Sequence, residues 1–276
     1  LDMGVMAEML DSGINVHLAP YEPLIGYKTF RLNTDNYLFL GRDNRLSAKV
    51  DVIADDGTGV KVYSDDTDPT MLQDLTVSVN RLNLEQVTSV FPFMPLISGM
   101  MNGDFHLMQD ADKQISVVSD MQVGNMAYER MPMGNLGSEF VYLQDGEDRH
   151  RVEARISRND DEIGVLSGVY DNSGDGYLDA TLDLMRTPLS MVNGFIPDQL
   201  LGFDGFAEGH LSVAGALSSP QVNGELYVDS AYVKSVPYGV VMRCDNDPVR
   251  IVGSNLLLEN FTLYGDNNSP LTIYGN

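Results

Sequence analysis

The chain has 276 residues, 43% of them apolar, which is ordinary for a folded protein and excludes disorder as its main state. Its 40 acids against 17 bases leave a net charge of -23, which argues against nucleic acid or an anionic membrane surface as a direct partner, since both attract Lys and Arg. Cys244 is the single cysteine, which excludes an internal disulfide and a cysteine zinc cluster.

No apolar run approaches the roughly 18 residues of a membrane helix, and no signal peptide is visible. The chain begins at Leu1 and stops at Asn276 just after a strand pattern, so it reads as a piece of a longer protein whose targeting segment lies outside.

Residues 1 to 30 are the least legible. Met6, Met9, Leu10, Ile14, Val16 and Leu18 suit a strand or a short helix, and Pro20 and Pro23 suggest a turn. From Asp35 the alternation is plain: Tyr37 and Phe39, then Leu46, Ala48, Val50 and Val52, a turn at Asp55-Asp56-Gly57, then Val60 and Val62. Period-two runs like these, one face apolar and the other polar, predict a mostly β chain whose sheet is covered on one side.

Two segments break the period. Leu84, Val87, Val90 and Phe91, like Leu189, Val192, Phe195 and Ile196, recur at spacings of three, three and one. That spacing puts them on one face of a two-turn helix stopped before Pro92 or Pro197. A helix so short needs an apolar surface to lie on. Each is therefore expected against the sheet's apolar face, through Leu84, Val87 and Phe91 in one and Leu189, Val192 and Ile196 in the other.

These segments belong to an internal repeat. Asp74, Thr76, Arg81, Leu84, Val87 and Pro92 match Asp179, Thr181, Arg186, Leu189, Val192 and Pro197, each 105 positions on (179 minus 74). After a one-residue slip, Gly99, Gly103, Phe105 and Leu107 match Gly205, Gly209, Leu211 and Val213. Ala127-Tyr128 through Pro132 and Gly134 matches Ala231-Tyr232 through Pro237 and Gly239. A period of about 105 residues implies an elongated stack of supersecondary units. Residues 1–73 would be a partial unit, 74–178 a full one and 179–276 a truncated second, all in one continuous domain.

The later copy resembles the TamB family, the translocation and assembly module proteins of the wider AsmA-like group. The resemblance rests on the segment Leu189 to Pro197, then Gly205, Gly209, Leu211, Val213 and Gly215, then Pro220, Val222, Gly224 and Leu226. Pro237-Tyr238-Gly239, Asn255, Leu257, Phe261 and Leu263, and Leu271, Ile273 and Gly275 complete it. The earlier copy departs from it at Gln109-Asp110-Ala111-Asp112, where the later one has Gly215-Ala-Leu-Ser. The resemblance implies a curled, taco-like sheet with a long hydrophobic groove, a periplasmic location, an inner-membrane anchor elsewhere in the protein, and a role in envelope biogenesis. It implies phospholipid or another acyl-chain ligand, and an outer-membrane barrel assembly protein of TamA type, as partners.

The residues expected to line the groove are Val77, Val79, Phe105, Leu107, Leu182, Leu184, Leu211, Val213, Leu226, Val228, Val249, Ile251, Phe261 and Leu263. The alternative is a closed sandwich or barrel in which the same side chains fill a core to crystal-like density. A second functional alternative is a scaffold whose sheet edges pair with unfolded outer-membrane strands or with another copy of the chain.

No cofactor, metal site or catalytic residue is expected. Asp171-Asn-Ser-Gly-Asp-Gly176 imitates a calcium loop, but Leu182 stands where the bidentate Glu belongs, so a hairpin turn is expected. His17, His106, His150 and His210 are scattered and read as surface residues. No nucleophilic triad, phosphate loop or recognisable carboxylate pair appears, so an enzyme is not expected. The abundance of acids leaves a glycosidase pair open.

Overall fold

The computed structural model describes residues 2–25, 28–65, 67–68, 70–89, 93–196, 200–246 and 248–275. Its strands form one 19-stranded antiparallel sheet. The first are β1 (Asp2–Leu10), β2 (Gly13–Ile25), β3 (Lys28–Leu32), β4 (Tyr37–Gly41), β5 (Leu46–Ala54), β6 (Gly59–Ser64) and β7 (Gln73–Asn83). A one-turn helix α1 (Leu84–Thr88) leads into β8 (Ile97–Gln109), β9 (Ile115–Tyr128), β10 (Met131–Gln144), β11 (Arg149–Arg158), β12 (Asp161–Asp171) and β13 (Tyr177–Pro188). A 3-10 helix, Leu189–Phe195, precedes β14 (Leu201–Ala216), β15 (Gln221–Ser235), β16 (Val240–Cys244), β17 (Val249–Val252), β18 (Asn255–Tyr264) and β19 (Pro270–Gly275).

Pairing follows chain order, as in a meander. From β5 to β15 each strand pairs with the next. On each side of that run a long strand faces two short ones. β2 pairs with both β3 and β4, which rejoin on β5. β15 likewise pairs with β16 and β17, which rejoin on β18. Among the described residues β1 pairs only with β2, and β19 only with β18.

Side-chain amides fill the gaps where a ladder is interrupted. Asn36, 1% exposed, accepts from Leu18 N at 2.7 Å and donates to Leu18 O at 3.2 Å, as a strand residue would. Gln73 does the same to Leu46 (2.9 and 2.6 Å). A buried backbone group without such a partner would cost about 1–3 kcal/mol.

The N-terminal segment is two long strands, and Pro20 and Pro23 lie inside β2, not at a turn. They fall within the stretch where the β1 register slips, between Asp2–Leu24 and Gly4–Ala19. A bulge does not need the N–H that proline lacks, so the strand runs through.

Bulges recur at corresponding places. Arg81 (φ 50°) and Arg186 (φ 44°), 105 positions apart (186 minus 81), sit at the register shifts of β7 on β8 and β13 on β14. Gly99 with Asn125 (φ 49°) marks the shift of β8 on β9, and Gly205 with Ser230 (φ 51°) marks that of β14 on β15. Gly205 is needed there: its φ is 99°, and a Cβ would lie 2.5 Å from Ser230 O.

The surface is large. The chain exposes 16799 Å², whereas a compact protein of 30.4 kDa would expose about 12,000 Å². Many of the buried apolar residues gather in two places, while Val123, Met133, Ala154, Ile163 and Ala207 lie on the strands between. Leu32, Ala48, Val50, Ala54 and Val79 lie in the N-terminal strands. Ala231, Cys244 and Leu263 form a cluster on β15, β16 and β18, with Leu189, Val228 and Phe261 packed against it.

Both short helices depart from the two-turn expectation. α1 is a single turn, its Thr88 is buried and Val87 is 37% exposed; Phe91 lies outside the described residues. Thr88 wins the inward position because its Oγ1 donates to Ile97 O at 3.1 Å, fixing the turn's rotation. The second segment is 3-10, not α, and buries no residue; Val192 is 44% exposed. Three residues per turn align Leu189, Val192 and Phe195 on one ridge instead of wrapping Ile196 onto it.

Candidate functional site

Directly opposed residues of an antiparallel ladder share a face of the sheet. Starting from Val50, the successive partners are Val62, Val77, Phe105, Ser119, Phe140, Ala154, Leu166, Leu182, Leu211, Gly224, Ile251 and Leu256. This row crosses the sheet from β5 to β18 and contains no charged side chain.

Parallel rows flank it. Val79 opposes Val60, Leu184 opposes Gly164 and Gly209, and Leu226 opposes Val249. Leu107 opposes Val117, and Val213 opposes Ala180 and Val222. Val228 opposes Ala207, Leu263 opposes Cys244, and Phe261 opposes Ile273 two residues along. The packing of Leu189, Val228, Phe261 and Leu263 in one cluster places the last three on the same side as the 3-10 helix. The register thus brings all the residues expected of the apolar face to one side of the sheet. Most are half-buried; Val79 and Leu263 are buried.

The opposite side is charged. From Asp51 the partners run through Lys61, Ser78, Asp104, Asp120, Glu139, Arg155, Val165, Asp183, His210 and Glu225 to Arg250. An ion pair between Arg250 and Glu225 (3.2 Å) and a hydrogen bond between His210 and Asp183 (2.7 Å) stitch part of it. Asp104, Asp120 and Glu139 are adjacent like charges, which a sheet tolerates only where water screens them. His106 also lies on this side, bonded to Asp74 at 2.7 Å.

Sequence reading missed the contribution of β9 to β12. Phe140, Leu166, Val152 and Ala154 belong to the apolar face, and the alternation of Val152, Ala154 and Ile156 was a usable signal. His150 is not a plain surface residue. It stacks between Tyr142 and Tyr170, with ring centroids 5.8 and 5.5 Å away, and Tyr142 Oη lies 2.7 Å from its Nδ1. That stack depends on cross-strand register, which spacing along the chain does not reveal.

The shifted acidities have structural causes. The hydrogen bond from Lys49 holds the Asp35 carboxyl below its usual range, and that from Ser173 does the same for Asp171 at the start of the β12–β13 turn. Lys28 holds Asp56 well below the carboxylate range at the β5–β6 turn. On the apolar face, burial pushes the Cys244 thiol up. Among the described residues no group of three His, Cys, Asp or Glu side chains is placed to hold a metal ion.

A concavity of about 630 Å³ opens beside the Arg186 bulge, lined by Arg158, Glu162, Leu184, Phe206 and Glu208 among others. Its cations are engaged: Arg158 Nε donates to Met133 O at 2.6 Å, and Arg186 lies 4.6 Å over the Phe206 ring and 3.7 Å from Asp229. That arrangement pins the bulge.

Comparison with protein-family models, with curated proteins and with solved structures finds no match to this chain. The reading of the apolar face therefore rests on its own geometry.

Proposed function

We infer that this chain is a segment of a periplasmic bridge between membranes that shields lipid acyl chains against its apolar face, the headgroups facing water. The observation that carries this reading is the uncharged row from Val50 to Leu256, which stays half-exposed across most of the sheet while the reverse side is charged. A closed core would bury those side chains; the excess surface points the other way.

The geometry also favours a curled, repeating trough. The 3-10 helix is about 14 Å long yet reaches from Tyr128 on β9 to the Ala231 cluster on β15, six strand spacings or about 29 Å away on a flat sheet. The matched bulges at Arg81 and Arg186 and at Asn125 and Ser230 fit a unit of about 105 residues. No chemistry is required. Each methylene kept from water is worth roughly 0.8 kcal/mol, so a continuous apolar track would flatten the barrier to moving a chain along it.

A second reading, a scaffold that pairs its edges with unfolded outer-membrane strands, has its own support: Val5, Met6 and Met9 of β1 are 64%, 58% and 82% exposed. Native mass spectrometry with organic extraction separates the two. Under the acyl-shielding reading phospholipid or fatty acid co-purifies, and Val213→Asp, which puts a charge on a half-buried position of the apolar face, abolishes it with the fold intact. A lipid-free chain that also takes up no fluorescent fatty acid would sink that reading in favour of the scaffold.

A further inference from the structure

The 3-10 helix Leu189–Phe195 lies over part of the apolar face and is moored at three points. Leu189 packs against the buried cluster formed by Ala231, Cys244 and Leu263, as do Val228 and Phe261. Asn193 clamps the middle, its amide donating to Phe203 O at 2.9 Å while its Oδ1 accepts from Phe203 N at 2.7 Å. At the far end Phe195 stacks on Tyr128 with centroids 4.6 Å apart, and Gly194 lies so close to β10 that a Cβ would come within 2.9 Å of Met133 Cε.

What lies beneath is well covered: Met133 is 3% exposed, Ala231 1%, Cys244 5% and Leu263 6%. The helix itself is lightly held. None of its residues is buried, Pro188 gives it no side-chain cap, and Phe195 is 66% exposed. Its 3-10 hydrogen bonds are also of poorer geometry than those of an α-helix. The segment covers part of the face while burying little of itself.

We propose that this helix is a strap, a tethered competitor for the apolar face that must lift for an acyl chain to lie along β10 to β15. The inference rests on the acyl-shielding reading. It makes a prediction opposite to that for a fixed wall. If the strap competes, apparent affinity is reduced by the fraction of molecules in which it is down, and loosening it tightens binding. If it is a wall, loosening it removes contact and weakens binding.

Cys244 is a built-in reporter, because it belongs to the buried cluster against which Leu189 packs, and burial both hides its sulfur and disfavours the thiolate, so a reagent reaches it through opening. The variant to make is Phe195→Ser: the side chain is exposed, and it is moored at the opposite end of the helix from Cys244. Phe195→Tyr, which keeps the stack, is its control. Maleimide labelling of Cys244 and the affinity for a fluorescent polyene fatty acid are measured on the full chain. Loss of the aromatic pair should speed labelling and tighten fatty-acid binding, each roughly two- to tenfold, with Phe195→Tyr close to the parent. Unchanged labelling, or faster labelling with weaker binding, overturns the strap and leaves acyl shielding standing. Failure of both parent and variant to bind the fatty acid overturns acyl shielding, and the strap falls with it.

Discussion

Two segments 105 positions apart, Leu84–Thr88 and Leu189–Phe195, begin alike and fold differently. The first is an α-turn, the second a longer 3-10 helix. The difference starts one residue before each. Asn83 accepts hydrogen bonds from Glu85 N and Gln86 N, satisfying donors that an α-helix leaves open at its start. Pro188 occupies the corresponding place (83 plus 105) and has no side-chain acceptor. Downstream, Thr88 is tied to Ile97, whereas Asn193 is drawn to Phe203. A shared apolar spacing thus selects where a segment lies, and the polar residues between select its winding.

The largest test of this contrast is what lies beneath. Leu263→Ala should cost about 2–4 kcal/mol, because it opens a cavity in the cluster that Leu189 covers. Urea denaturation checks it, and a loss under about 1 kcal/mol would mean that the cluster is not a packed core. The cap comes next. Asn83→Ala should cost about 1 kcal/mol through its two lost bonds. Truncating Ser190, in the uncapped helix's first turn, should cost a few tenths at most; equal losses would place the difference elsewhere.

The smallest effect is that of pH. Asp35, Asp56, Asp65 and Asp68 in the N-terminal loops, and Asp171 further on, are all held below their usual range by hydrogen bonds. A carboxyl depressed in the folded state contributes stability above its unfolded value and loses it as pH falls through the folded one. Acidification below about pH 4 should therefore loosen the β5–β6 and β6–β7 connections more than the β14–β15 connection, against the general relief of a net charge of -23. Hydrogen exchange by mass spectrometry at pH 5 and pH 3, corrected for intrinsic rates, checks this. Equal protection changes in both regions would break the comparison.

The sheet and its two faces were readable in the chain because period-two alternation reports which side is dry; which residues oppose one another, such as Val77 with Phe105 and Leu182 with Leu211, only the register shows. Expectation failed where polar groups decide. Pro20 and Pro23 look like a turn but sit in a bulge that has no use for their missing N–H groups. Val87 and Val192 look inward by spacing and are exposed, because Thr88 and Asn193 set the rotation of each segment. The amides of Asn36 and Gln73 stand in for strand residues across gaps that exist only once the sheet is assembled. Such roles depend on partners 18 and 27 residues away, and local pattern carries no trace of them.

The meander has an architectural consequence. Because every strand in the run from β5 to β15 is paired with its chain neighbours, the sheet widens at the strand spacing: β7 to β13 adds about 29 Å measured along the sheet. A further hairpin, inserted at one of the turns, would widen the sheet by about 10 Å and leave every other strand pair in register. The width of the sheet is therefore a property of strand number, and it can be extended or shortened without changing how the remaining strands pair.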